Sequence, residues 1–104
     1  MARLAVLCPD LLFGSKLTSM LAAAGHEVVA ADDPAADLVV VDLTDDADAR
    51  IEATNGATAP RLGFYAHVEQ DVRERAEAAG FARVVPRSRM NRDAAGLVDG
   101  MLAG

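Results

Sequence analysis

Leu38-Val39-Val40-Val41 is an apolar run with valine at three successive positions, and it stops at Asp42. A strand exposed on one face alternates apolar and polar residues, so a run without alternation is buried on both faces. Valine is stiff at χ1 in a helix and packs well on a pleated surface. The run therefore reads as an inner strand of a parallel sheet with helices on both sides. Composition agrees: 52% of the 104 residues are hydrophobic but only 4% aromatic, so the core must be built from Val, Leu and Ala. A chain of this length buries roughly 65% of its unfolded surface, enough to stand alone without a metal or a disulfide.

Around that strand, extended and helical patterns alternate. Leu4–Cys8 is a short apolar run stopped by Pro9, which has no N–H to give a sheet ladder. Asp10 can cap a helix whose apolar positions Phe13, Leu17, Met20, Leu21 and Ala24 fall at helical spacing, with Gly25 placed for a left-handed C-terminal cap. Glu27–Ala31 reads as a second strand. After Asp42, Thr44 is expected to cap a short helix through Asp45, Asp46 and Ile51 that ends at Asn55-Gly56. Leu62–Ala66 is a fourth strand introduced by Pro60. Val68–Ala79 is a helix with Val68, Val72, Ala76 and Ala79 inward and Asp71/Arg75 and Arg73/Glu77 as i,i+4 pairs. Ala82–Val85 is a fifth strand, and Asn91 is expected to cap a last helix with Ala94, Leu97, Val98, Met101 and Leu102 inward.

Five such units predict an α/β fold, a doubly wound five-stranded parallel sheet of order 2-1-3-4-5, as one domain over residues 1–104. One connection is anomalous. Asp32–Asp37 is six residues long, whereas a parallel crossover normally contains a helix and about a dozen residues. The helix between the second and third strands is therefore missing or reduced. An extended link spans ~20 Å, just enough to return along one strand and step over a neighbour. The competing solution is an antiparallel hairpin through Asp33-Pro34. Either way, Val and Leu side chains beside residues 28–31 and 38–41 are expected to lose helical cover, which invites a partner.

The formal net charge of −6 argues against a nucleic-acid partner or an anionic membrane surface. No segment reaches the ~18 consecutive apolar residues of a membrane span. The single cysteine, Cys8, reads as a small buried apolar residue, and Met1-Ala2-Arg3 leads straight into the first strand, so the expected compartment is the cytoplasm. His26 and His67 lie far apart without metal-ligand spacing, and no nucleophile elbow, dinucleotide fingerprint or phosphate-binding loop occurs. Neither a cofactor nor a metal nor an enzymatic activity is expected.

The segments RLAVLCPDLLFGSKLTSMLAAAGHEVVAA, DLVVVDL, APRLGFYAH and AAGFARVVPRS resemble, in order and spacing, response-regulator receiver domains of two-component signalling, a flavodoxin-like family. The resemblance implies that Asp42 stands at the phosphoacceptor position. It places Cys8 and Pro9 where the family carries the acidic pair that holds Mg²⁺, with Asp10 one place late. Tyr65 falls at the family's Thr or Ser, and Arg87 at its lysine. A thiol and a proline supply no oxygen ligand for Mg²⁺, and a phosphoryl group would lack the lysine that stabilises its charge.

What the resemblance implies is thus a degenerate receiver, a pseudo-receiver with Asp42 a plain strand-end carboxylate, acting by protein–protein contact without phosphorylation. Two alternatives stay open: an atypical receiver phosphorylated on Asp42 with Asp10 as substitute ligand, and a small-ligand-binding flavodoxin-like domain using Pro9, Asp10, Asp42, Tyr65 and Arg87. The interface is expected on the last strand and helix, where receivers commonly dimerise. Arg83, Arg87, Arg89 and Arg92 form a basic rim there, and Gly96, Gly100 and Met101 offer close packing for a homodimer or another protein partner.

Overall fold

The computed structural model describes residues 2–66 and 70–103. The chain runs β1 (Arg3–Leu7), α1 (Leu11–Ala23), β2 (Glu27–Val29), β3 (Leu38–Asp42), α2 (Ala47–Ala53), β4 (Arg61–Tyr65), α3 (Gln70–Ala78), β5 (Arg83–Pro86) and α4 (Arg87–Ala103). All strand pairs are parallel, in the order β2-β1-β3-β4-β5. The doubly wound sheet expected from the apolar runs is therefore the observed one, and the hairpin alternative is not. Among the described residues no helix is long and apolar enough to cross a membrane.

Strand alternation sends the core to two sides. Leu4, Leu38, Val40, Leu62, Phe64 and Val85 meet α1 and α4 on one face, where Phe13, Leu17, Leu21, Met90, Leu97 and Val98 pack against them. Ala5, Val39, Val41, Tyr65 and Val84 face the other way, toward Ala47 of α2, Val72 and Ala76 of α3, and Phe81. β3 is buried along its whole length, as its unbroken apolar run requires. The paired charges expected on α3 form, Arg75 with Asp71 at 3.4 Å and Arg73 with Glu77 at 3.4 Å. The inward placement expected of Val68 lies outside the described residues, as does His67.

No helix links β2 to β3. Residues 30–37 make two turns instead, in which Ala30 O accepts from Asp33 N and the Asp33 carboxylate accepts from Ala35 N at 2.8 Å. A reciprocal pair then pins the end of this strap to β1: Asp37 N donates to Arg3 O at 2.7 Å and Asp37 Oδ2 accepts from Arg3 N at 2.8 Å. Because β2 is only three residues long, two turns suffice for the return. The loss of cover is narrower than expected. Leu38–Val41 is buried, whereas in the stretch 28–31 Val28, Val29 and Ala31 stay half-exposed and Ala30 is exposed.

Three boundaries and one side-chain placement differ most from the sequence reading. β2 stops at Val29, because Ala30 and Ala31 enter the strap. Asp46, not Thr44, caps α2, its carboxylate accepting from Ala49 N; Asp45 takes a left-handed φ of 73°, which turns the chain and delays the helix by two residues. The last helix starts at Arg87 rather than after an Asn91 cap. It kinks at Asp93 (φ −151°, ψ 46°), whose carboxylate caps the second part by accepting from Gly96 N, while Asn91 accepts from Lys16 Nζ of α1. Leu102, expected inward, is exposed.

Arg61 is the one fully enclosed cation among the described residues. It is only 6% exposed and has no carboxylate partner; its guanidinium donates to Ile51 O at 3.4 Å, Thr54 Oγ1 at 3.2 Å and Ala79 O at 2.5 Å, and stacks 4.2 Å over the Phe81 ring. These carbonyls end α2 and α3, so one guanidinium meets the negative ends of two helices and fixes both to the start of β4.

Candidate functional site at the end of the central strands

β1 and β3 are parallel neighbours with Leu7 opposite Val41, so Cys8 and Asp42 emerge side by side at the carboxyl ends of the strands. The Cys8 thiol donates to Asp42 Oδ2 at 3.5 Å, with Asp10 O a second acceptor at 3.6 Å. The other carboxylate oxygen, Oδ1, accepts from Thr44 N at 2.8 Å. Asp42 is 3% exposed, so both its oxygens are taken up by the chain itself in a nearly closed setting. Burial, and then the adjacent Asp42 charge, push the Cys8 thiol up to about 11, which keeps it protonated and able to donate.

Pro9 is exposed and turns the chain into α1. Asp10 then performs two tasks. Its Oδ1 caps α1 by accepting from Leu12 N and Phe13 N, both at 3.1 Å, and its Oδ2 accepts from Arg87 at 2.8 Å. The Arg87 hydrogen bond, followed by the cap bonds, holds the Asp10 carboxyl below the usual carboxylate range. Arg87 also lies 4.3 Å over the Phe13 ring, so its guanidinium is held on α1 by charge and by stacking.

The structure thus brings Cys8 to Asp42 and Asp10 to Arg87, and Tyr65 elsewhere. Alternation along β4 turns Tyr65 into the core under α2 and α3, 6% exposed, whereas Asp42 shares the parity of Val40 and Cys8 on the opposite side. Of the crevice residues named from the sequence, only Arg87 lines the open cavity of about 420 Å³ at this end of the sheet, together with Phe13, Ala66, Pro86, Ser88 and Asn91. The Thr44 hydroxyl is shut off from solvent with no hydrogen-bond partner among the described residues.

Mg²⁺ does not fit this donor set. Its octahedral oxygen shell would need carboxylates beside Asp42, but the neighbour is a protonated thiol, Pro9 has no side-chain donor, and Asp10 is committed to Arg87 and to the helix cap. Chemically the cluster can hold a proton between sulfur and carboxylate and can clamp α1 to the start of α4.

On the last strand and helix, Arg83, Arg89 and Arg92 are exposed and take part in no ion pair among the described residues. Gly96 does not serve close helix packing: a Cβ there would strike the Asp93 carboxylate, so its smallness serves the internal cap. Gly100 faces open space. Met101 is half-buried against the chain's own core, which removes most of its surface from an interface. The sequence reading missed the exposed pair Leu11 and Leu12, 85% and 87% exposed beside Asp10; their consecutive spacing, off the Phe13–Leu17–Leu21 stripe, was the available signal.

No family model and no curated relative matches the sequence. Solved structures do match along nearly the whole chain. A response regulator receiver protein from Burkholderia phymatum is 17% identical with a TM-score of 0.78, covering 99% of this chain and 96% of its own. The receiver domain of the TMAO respiratory system response regulator TorR is 14% identical with a TM-score of 0.79, covering 98% and 97%. The signal receiver domain of the putative response regulator NarL from Mycobacterium tuberculosis is 19% identical with a TM-score of 0.72, covering 99% and 97%. The strand order, the placement of the helices and these likenesses agree: the chain has the flavodoxin-like fold of response-regulator receiver domains.

Proposed function

We propose that this chain is a receiver-like regulatory domain of the cytoplasm that works through protein–protein contact and does not pass through an aspartyl phosphate. The observation that supports this reading is that the chain's own groups take up both oxygens of Asp42, the residue that the resemblance puts at the phosphoacceptor position. Both Asp42 oxygens accept internal hydrogen bonds, one from a thiol standing where a metal-binding carboxylate would be, and Arg87 is held by Asp10 and Phe13. A receiver normally spends phosphorylation to rearrange these groups; here they are already engaged, so the fold presents one constant surface. Arg83, Arg89 and Arg92 supply that surface with positive charge on an otherwise acidic protein, which suits an acidic partner or an acidic face of a second copy. Amide NMR with Mg²⁺ and beryllium fluoride, a phosphoryl mimic, tests the reading: residues 42–46 should keep their shifts, and a saturable change centred there would refute it.

A further inference from the structure

The absence of a helix between β2 and β3 leaves a trace on the sheet. Five apolar residues lie only partly buried against the core under α2 and α3, namely Leu7, Val29, Ala36, Ile51 and Ala59. Leu7 and Val29 come from the ends of β1 and β2, Ala36 from the strap, Ile51 from α2 and Ala59 from the connection into β4. All five pack against the core cluster on the sheet face that carries α2 and α3. Two of them, Ala36 and Ala59, also line a cavity of about 300 Å³ with Pro34, Val39 and Ala53, and Asp32 and Asp33 stand in its wall.

Charge around this groove has one sign. Residues 30–37 carry Asp32, Asp33 and Asp37 and no Lys or Arg, and residues 53–60 carry no charge at all. Asp32 is exposed and enters no hydrogen bond or ion pair among the described residues. The cations nearest in sequence are used elsewhere: Arg3 pairs with Glu27, Arg50 donates to Thr44 O, and Arg61 is buried against Ile51 O and Ala79 O. Leu7 and Val29 point to the sheet face that carries α2 and α3, Val29 from the edge strand β2, and a sheet face takes up the apolar stripe of a helix.

We propose that this groove is a second docking site, which receives a basic amphipathic helix of a partner protein in place of the missing crossover helix. Its apolar stripe would cover Leu7, Val29, Ala36, Ile51 and Ala59, and its Lys or Arg flank would meet Asp32 and Asp33. The site is separate from the arginine face and from Asp42, so its fate does not decide the reading of either.

The test uses the full chain and a labelled Leu/Lys helical peptide of about 14 residues, long enough to run the length of a five-residue strand. Its partner control replaces every Lys by Glu. The expected result is saturable binding of the basic peptide with a Kd of about 100 µM or tighter and at least tenfold weaker binding of the acidic one. Amide shifts should change at Leu7, Val29, Ala36, Ile51 and Ala59. Asp32→Lys with Asp33→Lys should weaken binding at least about tenfold, since like charges now face each other, with folding checked by the unchanged amide spectrum of β3. Several outcomes would overturn the proposal: no saturable binding, equal binding of both peptides, or shifts confined to Leu11 and Leu12 or to the arginine face. A small alkylguanidinium reproducing the same shifts and affinity would also overturn the helix as occupant, and so would a second copy filling the groove, seen as association that the basic peptide reverses.

Discussion

The Cys8 thiol points its proton at Asp42 Oδ2 across 3.5 Å, between the ends of two adjacent parallel strands. A sulfur, not a carboxylate, is therefore the neighbour of the strand-end aspartate, whose two oxygens are taken up by donors from its own chain. Two carboxylates at this spacing would repel unless a cation lay between them. A neutral thiol beside one carboxylate needs none.

The thiol should be unreactive near neutrality. Alkylation followed against pH should show an inflection near 11, and since burial is the larger cause, Asp42→Asn should lower it only partly. The protonated thiol is the form the fold favours, so its contribution to stability is complete below about 9 and is lost as pH rises through about 11. An inflection at the ordinary thiol value of about 8.5 would contradict the Cys8–Asp42 contact.

Arg61→Met should destabilise the fold by about 2–4 kcal/mol, because it leaves the buried acceptors Ile51 O, Thr54 Oγ1 and Ala79 O without their donor. Arg61→Lys should recover part of the loss, since one ammonium cannot reach three acceptors and stack on Phe81 at once. Urea unfolding of the three proteins decides it; equal midpoints would show that the guanidinium holds nothing.

Thr44→Val should leave stability unchanged or raise it by up to ~1 kcal/mol, because the buried hydroxyl has no partner among the described residues and Val keeps its shape. A loss beyond about 1 kcal/mol in the same unfolding measurement would mean that the hydroxyl is bonded in solution.

Much of this was legible beforehand for a physical reason. Short apolar runs without alternation, rich in valine and stopped by Pro or a carboxylate, fit doubly covered strands, so Leu4–Leu7, Leu38–Val41 and Val84–Val85 led to the sheet, and the short link before Leu38 led to the missing helix. The groups at the strand ends were legible as a set because strand ends are named by where apolar runs stop. What they touch was not. Arg87 and Asp10 are 77 positions apart, and nothing in spacing says that Arg87 lies on Phe13. The start of the last helix escaped because residues 87–92 show one buried apolar position, Met90, and its internal cap is Asp93. Arg61 escaped because an arginine at a strand start usually points to water, and its partners are backbone carbonyls that sequence does not display.

The arginine face should govern association. Light scattering over a dilution series is expected to show a homodimer, and Arg89→Glu with Arg92→Glu should shift it toward monomer, because both side chains are exposed and unpaired among the described residues. These are better probes than Met101, which the chain's own core half covers. A monomer at every concentration in both proteins would leave only a different protein as occupant of that face.

The central claim is that Asp42 accepts no phosphoryl group. Intact mass after incubation with Mg²⁺ and acetyl phosphate tests it most directly, with Asp42→Asn alongside. The account predicts an unchanged mass for both proteins. A stoichiometric gain of one phosphoryl group in the wild-type chain, absent from Asp42→Asn, would contradict it.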